Sequence, residues 1–211
     1  MPQDHIIFIV DDDRRIREAM TELLSSLEMR AVAFGSAAEY IAYPKPDLPA
    51  CLVLDIELPD INGLELQRQI APENDVPIVF VTGHGDIPSS VRAIKAGAVD
   101  FLTKPFQEAD LLRAIQSALT QSREAKCKRA DLADLQQRLA SLTPREREVL
   151  TLVASGLLNK QAAAELHISE VTLQIHRGRM MKKMAAGSVA ELVRMVGSLG
   201  ISLTHARHPP S

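Results

Sequence analysis

The chain has 211 residues, a formal net charge of −3 at pH 7, 46% apolar residues and 3% aromatic ones. That length suits one large or two small domains with mainly aliphatic cores. Two cysteines, Cys51 and Cys127, provide neither a disulfide framework nor a metal-binding spacing, which points to a reducing compartment. The apolar run after Met1-Pro2-Gln3-Asp4-His5 has no basic stretch before it and is too short for a signal or a membrane span, so a cytoplasmic protein with no membrane partner is expected. Charge is unevenly spread: residues 1–120 hold 10 Lys and Arg against 19 Asp and Glu, and residues 121–211 hold 14 against 8. A basic second half suits a nucleic-acid binder, although a solvated surface would carry the same charge.

From residue 6 to about 120, short apolar runs alternate with helix-like segments, the pattern of βαβ units on a parallel sheet. Strands are predicted at 6–10, 31–34, 51–54, 78–81 and 100–102, with helices at 14–28, after Ser36, after Gly63, after Pro88 and after Pro105. No Gly occurs between Gly97 and Gly156 and no Pro between Pro105 and Pro144, so the helix after Pro105 can run far beyond the sheet. Along it Leu132, Leu135, Leu139 and Leu142 follow a 3-4-3 spacing. Either they form a short helical seam that pairs with a second copy, or the stretch is a solvated spacer. Beyond Ser141 the pattern is helical throughout. Thr143 or Ser141 caps a helix with Pro144 in its first turn and Glu146 in capping-box position for Thr143. Helices are then predicted at 159–166 and 170–184, separated by a turn at His167-Ile168-Ser169, and Ser188 caps a last one.

The predicted strand ends carry the chemistry. In a parallel sheet Asp11 and Asp12, Asp55, Thr82 and Lys104 would lie along the edge where the ligand crevice of an open α/β fold opens. Two or three carboxylates so close need a counter-ion, and an all-oxygen donor set favours Mg²⁺ over Zn²⁺. Such a pocket suits a phosphoryl group: cation and Lys104 neutralise its oxygens, Thr82 donates a hydroxyl, and Asp55 attacks phosphorus in line. Gly83 leaves room for the phosphodonor. Taken singly, acids after a strand can be helix caps, and a lone lysine is usually a solvated charge.

Residues 6–120 resemble the receiver domain of a two-component response regulator. The resemblance rests on Val10-Asp11-Asp12-Asp13, Leu54-Asp55, Pro59-Asp60-Ile61-Asn62-Gly63, Val81-Thr82-Gly83-His84-Gly85-Asp86 and Asp100-Phe101-Leu102-Thr103-Lys104-Pro105-Phe106. It implies that Asp55 is the phosphoacceptor and that Asp12, Asp55 and the backbone carbonyl of Glu57 ligate Mg²⁺, with Asp11 acting through water. It further implies that Thr82 and Phe101 form a switch pair and that Lys104-Pro105 is a cis peptide. Glu57 and His84, two residues beyond Asp55 and Thr82, occupy positions that tune hydrolysis of the acyl phosphate in receivers, unless both merely face solvent.

Residues 141–200 resemble the LuxR-type helix-turn-helix of FixJ/NarL response regulators. Leu142-Thr143-Pro144-Arg145-Glu146-Arg147-Glu148-Val149-Leu150, Gly156-Leu157-Leu158-Asn159-Lys160, Ile168-Ser169, Thr172-Leu173, His176-Arg177 and Glu191-Leu192-Val193-Arg194 carry that likeness. With Leu173, Met180 and Met184 inward, Gln174, Ile175 and Gly178 share the outer face that could enter a major groove. There Gln174 suits adenine and Ile175 a thymine methyl. Arg177, Arg179, Lys183, Lys160 and Thr172 suit phosphates. Many relatives have a basic residue at Gln174 and a larger one at Gly178. Gly178 thus either admits close DNA approach or is a tolerated defect costing about 1 kcal/mol.

The expected architecture is a doubly wound α/β domain, a five-stranded parallel sheet of flavodoxin-like kind, joined by a long helical linker to an all-α helix-turn-helix domain. The receiver spans 1–120, the linker 121–140, the DNA-binding domain 141–202 and a disordered tail 203–211. The expected function is phosphorylation-dependent transcription control, with a sensor histidine kinase, double-stranded promoter DNA and, for an activator, RNA polymerase as partners, and a homodimer when phosphorylated. No enzyme activity is expected beyond the receiver's own phosphorylation and dephosphorylation. One alternative is an aspartyl-phosphate phosphatase of haloacid dehalogenase type, whose Asp-x-Asp motif Asp11-Asp12-Asp13 mimics; here Arg14-Arg15 replaces that family's Gly-Thr or Gly-Val continuation. The other is a phosphorylated adaptor that binds only proteins. No P-loop pattern and no zinc site are read from the sequence.

Overall fold

A computed structural model describes residues 4–70, 76–83 and 87–201, apart from the side chains of Ile87 and Ser89, so His84 and the tail at 203–211 lie outside the described residues. The chain divides into two compact units, Met1–Cys127 and Lys128–Ser211. The first has β1 (Ile6–Val10), α1 (Arg14–Ser26), β2 (Ala31–Phe34), α2 (Ala37–Ala42), β3 (Ala50–Asp55), α3 (Gly63–Ile70), β4 (Ile78–Thr82), α4 (Ile87–Lys95), β5 (Asp100–Thr103) and the start of α5 (Glu108–Ala140). All strand pairs are parallel, in the order β2-β1-β3-β4-β5. This is the doubly wound five-stranded sheet that the alternation predicts.

Because successive strand residues point to opposite faces, each strand feeds two cores. Ile6, Phe8, Val10, Leu52, Leu54 and Phe80 pack with Tyr40, Leu64, Leu66 and Ala93 of α2, α3 and α4. Ile7, Ile9, Val53, Val79 and Val81 pack with Met20 and Leu24 of α1 and with Leu111, Ile115 and Leu119 of α5. Cys51 lies in that second core, where burial pushes its thiol up and away from reactivity. The chain leaves β1 toward β2 on one side and returns to β3 on the other. That topological switch point is where open α/β sheets bind ligands.

Helix α1 ends at Ser26 rather than at residue 28, because Glu28 turns left-handed with φ 57°. Early in α5, buried Ser122 accepts the Ala50 N–H at 3.0 Å, and Lys126 pairs with Asp47, so the first part of the expected linker is fastened to the receiver unit.

The second unit takes the end of α5 together with α6 (Pro144–Ala154), α7 (Asn159–Glu165), α8 (Glu170–Met184) and α9 (Val189–Ser198). Leu142, Val149, Leu150, Val153, Leu173, Met180, Met184, Leu192 and Val196 form its core, with Leu139 packed against it. The last two leucines of the 3-4-3 spacing are therefore committed to their own domain. Thr143 is the cap of α6 with a full capping box: Thr143 N–H donates to Glu146 Oε2 at 2.8 Å, and Glu146 N–H to Thr143 Oγ1 at 3.3 Å.

Glu146 is also met by Lys183 Nζ at 2.6 Å. Lys183 and the Thr143 amide hold its carboxyl down to about 2, against an ordinary 4.5. A depressed folded-state value contributes stability above the unfolded value and loses it as pH falls through the folded one. The thermal midpoint of this unit should therefore drop between pH 4.5 and about 2, and Glu146→Gln should remove that part of the acid slope. An unaltered slope in the full-length variant would contradict the assignment.

Candidate functional site

Register sets the pocket. Val10 pairs with Leu54 and Asp55 with Val81, so Asp11, one residue past β1, comes level with Asp55. Thr82 pairs with Thr103, which puts Lys104 on the same edge, and Lys104 N–H donates to Thr82 O at 2.7 Å. Lys104 Nζ then lies 2.6 Å from Asp11 Oδ2 and 2.6 Å from Asp55 Oδ2. Ligand oxygens of Asp11, Asp12 and Asp55 all fall within 4.8 Å of one another.

Asp11 and Asp55 are buried and Asp12 is exposed. Burial pushes the Asp11 carboxyl above its ordinary range, opposed by Lys104. Desolvation works against the Lys104 ammonium, yet hydrogen bonds and charge from Asp11 and Asp55 hold it above its ordinary value. Three carboxylates against one ammonium leave a formal deficit of two positive charges, which a divalent cation on oxygen ligands matches. The donor set therefore fits Mg²⁺.

The loop after β3 is built around Asp55. Glu57 N–H donates to Asp55 Oδ1 at 3.1 Å, and exposed Glu57 bridges to Asn62. Gly63 N–H returns to Ile56 O at 2.8 Å. A Cβ on Gly63 would stand 2.3 Å from the Asp55 carbonyl oxygen, so only glycine permits this closure. Asp60, quoted above without a role, accepts the Ala38 and Ala37 N–H groups at 2.9 and 3.3 Å. Although burial opposes it, those amides hold its carboxyl below the ordinary range. Thr82 is fully buried, Phe101 is half-buried against the first core, and the Lys104-Pro105 peptide is cis. Among the described residues a Cβ on Gly83 would meet nothing within 4 Å.

In the second unit Gln174, Ile175, Gly178 and Arg179 are exposed along α8 while Leu173, Met180 and Met184 are buried. Lys160 is exposed near the start of α7, and Thr172 is half-buried with its hydroxyl 2.8 Å from Ser169 Oγ. Two expected phosphate contacts are otherwise engaged. The Arg177 guanidinium holds Asn159 Oδ1, tying α8 to α7. Lys183 is spent on Glu146 and on the Ser141 carbonyl at 3.1 Å. Sequence reasoning also passed over Val171, 68% exposed one turn before Ile175, whose apolar character on a polar face was the available signal.

An acidic edge at the switch point of a five-stranded parallel sheet, followed by a helix-turn-helix unit, defines a receiver coupled to a DNA-binding module. Residues 7–116 match the response regulator receiver domain, and residues 140–196 match the bacterial regulatory proteins of the luxR family. The chain belongs to the two-component response regulators with a LuxR-type DNA-binding domain. Nodulation protein W of Bradyrhizobium diazoefficiens is 48% identical over 201 residues, 95% of this chain and 88% of that protein. Transcriptional regulatory protein FixJ of the same organism is 40% identical over 197 residues, 92% of this chain and 96% of that protein. A low-resolution structure of the response regulator StyR matches with a TM-score of 0.82 and 44% identity, covering 92% of this chain and 98% of that one. Among the described residues no helix is long and apolar enough to cross a membrane.

Proposed function

We propose that Asp55 accepts a phosphoryl group from a sensor histidine kinase and that the resulting change of shape controls binding of α8 to promoter DNA. The observation that carries this reading is Asp55 held at 2.6 Å by Lys104 beside Asp11 and Asp12. An Asp55 carboxylate oxygen attacks phosphorus, the bond to the kinase imidazole breaks, and an acyl phosphate forms. Asp12, Asp55 and the Glu57 carbonyl, with Asp11 through water, would hold Mg²⁺, which would supply charge neutralisation of the phosphoryl oxygens. Lys104 and the Thr82 hydroxyl take the remaining oxygens. Catalysis is confined to the receiver's own phosphorylation and dephosphorylation.

Phe101 repositions with Thr82. The face of α4, β5 and α5, where Val91 and Ile94 stand 44% and 47% exposed, then pairs two phosphorylated copies in the cytoplasm. Inverting a 1:99 population needs about 5.5 kcal/mol of preference for the active state. Dimerisation sets two helix-turn-helix units on paired half-sites, where an activator would also meet RNA polymerase. Gln174 and Ile175 supply base contacts, with Gly178 admitting close approach. Lys160, Thr172 and Arg179 hold phosphates, joined by Arg177 and Lys183 if DNA outcompetes their present partners.

A gel-shift series over salt concentration tests this reading. Affinity should rise with a small phosphodonor, and log K should fall with log salt at a slope of about −0.9 for each phosphate neutralised. A flat salt response with unchanged affinity would instead mark a protein adaptor.

A further inference from the structure

We propose that Arg17 is a positioning residue that sets the Asp11 carboxylate for cation binding, acting through the peptide between Asp12 and Asp13. Its Nη1 donates to the Asp11 carbonyl at 2.6 Å and to the Asp12 carbonyl at 2.9 Å. The N–H at the other end of that second peptide, on Asp13, donates to Asp11 Oδ1 at 2.9 Å. Drawing the Asp12 carbonyl toward the guanidinium turns the Asp13 N–H into the pocket. The guanidinium charge also polarises the peptide and strengthens its donor end. Asp11 is thus fixed at both oxygens, Oδ1 by the Asp13 amide and Oδ2 by Lys104 at 2.6 Å, and Lys104 carries the chain of contacts on to Asp55.

The surroundings fit this role. Arg17 sits one turn into α1, its N–H on the Asp13 carbonyl at 3.1 Å, so the helix start and the acidic loop move together. Its guanidinium lies over Gly35, where a Cβ would come within 3.6 Å of Nη1. Both bonds leave one nitrogen, Nη1, so a lysine ammonium on its shorter side chain would restore the charge and only part of the geometry.

The inference rests on the proposed phosphorylation reading, in which the acidic cluster holds Mg²⁺. Titration calorimetry of Mg²⁺ into the unphosphorylated full chain tests it for wild type, Arg17→Met, Arg17→Gln and Arg17→Lys, with thermal unfolding in EDTA as the control for folding. Loss of a group that orients a metal ligand typically weakens metal binding by about 10- to 100-fold. Met and Gln variants should lose about tenfold in Mg²⁺ affinity at a near-native midpoint, Lys should recover part of it, and the phosphorylation rate should recover at high Mg²⁺. Wild-type Mg²⁺ affinity in whichever of the Met and Gln variants folds would overturn the inference while leaving phosphorylation of Asp55 intact. Mg²⁺ binding that depends on Arg17 in a wild type never phosphorylated would sink the phosphorylation reading and support the Arg17 role. A wild type that binds no Mg²⁺ overturns both.

Discussion

Lys104→Met should destabilise the receiver unit in EDTA by about 3 kcal/mol, the low end for removing one partner of a buried ion pair. The low end applies because the Lys104 side chain keeps 17% exposure, whereas Asp11 and Asp55 keep 0% and 6%. Without the ammonium two carboxylates share a dry edge with no fixed cation between them. By contrast, Arg14 and Glu18 pair at 2.7 Å with 82% and 56% exposure, and losing that solvated pair should leave the midpoint nearly unchanged. Mg²⁺ at about 100 times its dissociation constant adds about 2.7 kcal/mol to a protein that binds it only when folded. The gain should be larger in the variant than in wild type, because no ammonium competes for the same oxygens. Scanning calorimetry of the full chain with EDTA and with Mg²⁺ checks this; an unchanged EDTA midpoint would mean that the carboxylates do not depend on Lys104.

Gly63→Ala should act on both stability and function. Its Cβ would press on Asp55 O at 2.3 Å and on Ile56 Cα at 3.0 Å, and neither is a flexible side-chain end that can swing away. Overpacking of this kind costs about 1–3 kcal/mol. A reacting group displaced by about 1 Å can lose about 100-fold in rate. The expected result is a folded but weakened receiver phosphorylated about 100-fold more slowly at saturating phosphodonor. A wild-type rate would show that the loop after β3 does not position Asp55.

The sheet and its acidic edge were legible because both depend on short-range signals. Short continuous apolar runs mark strands buried on both faces, and polar residues directly after them fall on one edge once the strands are parallel. Contacts that depend on loop conformation were not legible. Arg17 reads as one more charge on the polar face of α1, and only the folded loop shows its two carbonyl partners. Lys183 reads as a phosphate-binding cation among four on one helix, yet the fold brings it to Glu146 from 37 residues away. Leu139 and Leu142 carry the same spacing whether a helix pairs with a second copy or packs into its own domain, and here the second holds. At Glu28 no glycine announces the left-handed residue that ends the helix region two residues early.

The central claim is that Asp55 takes the phosphoryl group and that this event governs DNA binding. The direct measurement is borohydride reduction of the acyl phosphate on the phosphorylated full chain, followed by mass-spectrometric mapping, with DNA affinity measured in parallel on Asp55→Asn. Modification at Asp55 is expected, with none in the variant and no phosphodonor-dependent rise in its DNA affinity. Modification at Asp11 instead, as in a haloacid dehalogenase-type phosphatase, or full switching by Asp55→Asn, would contradict the claim.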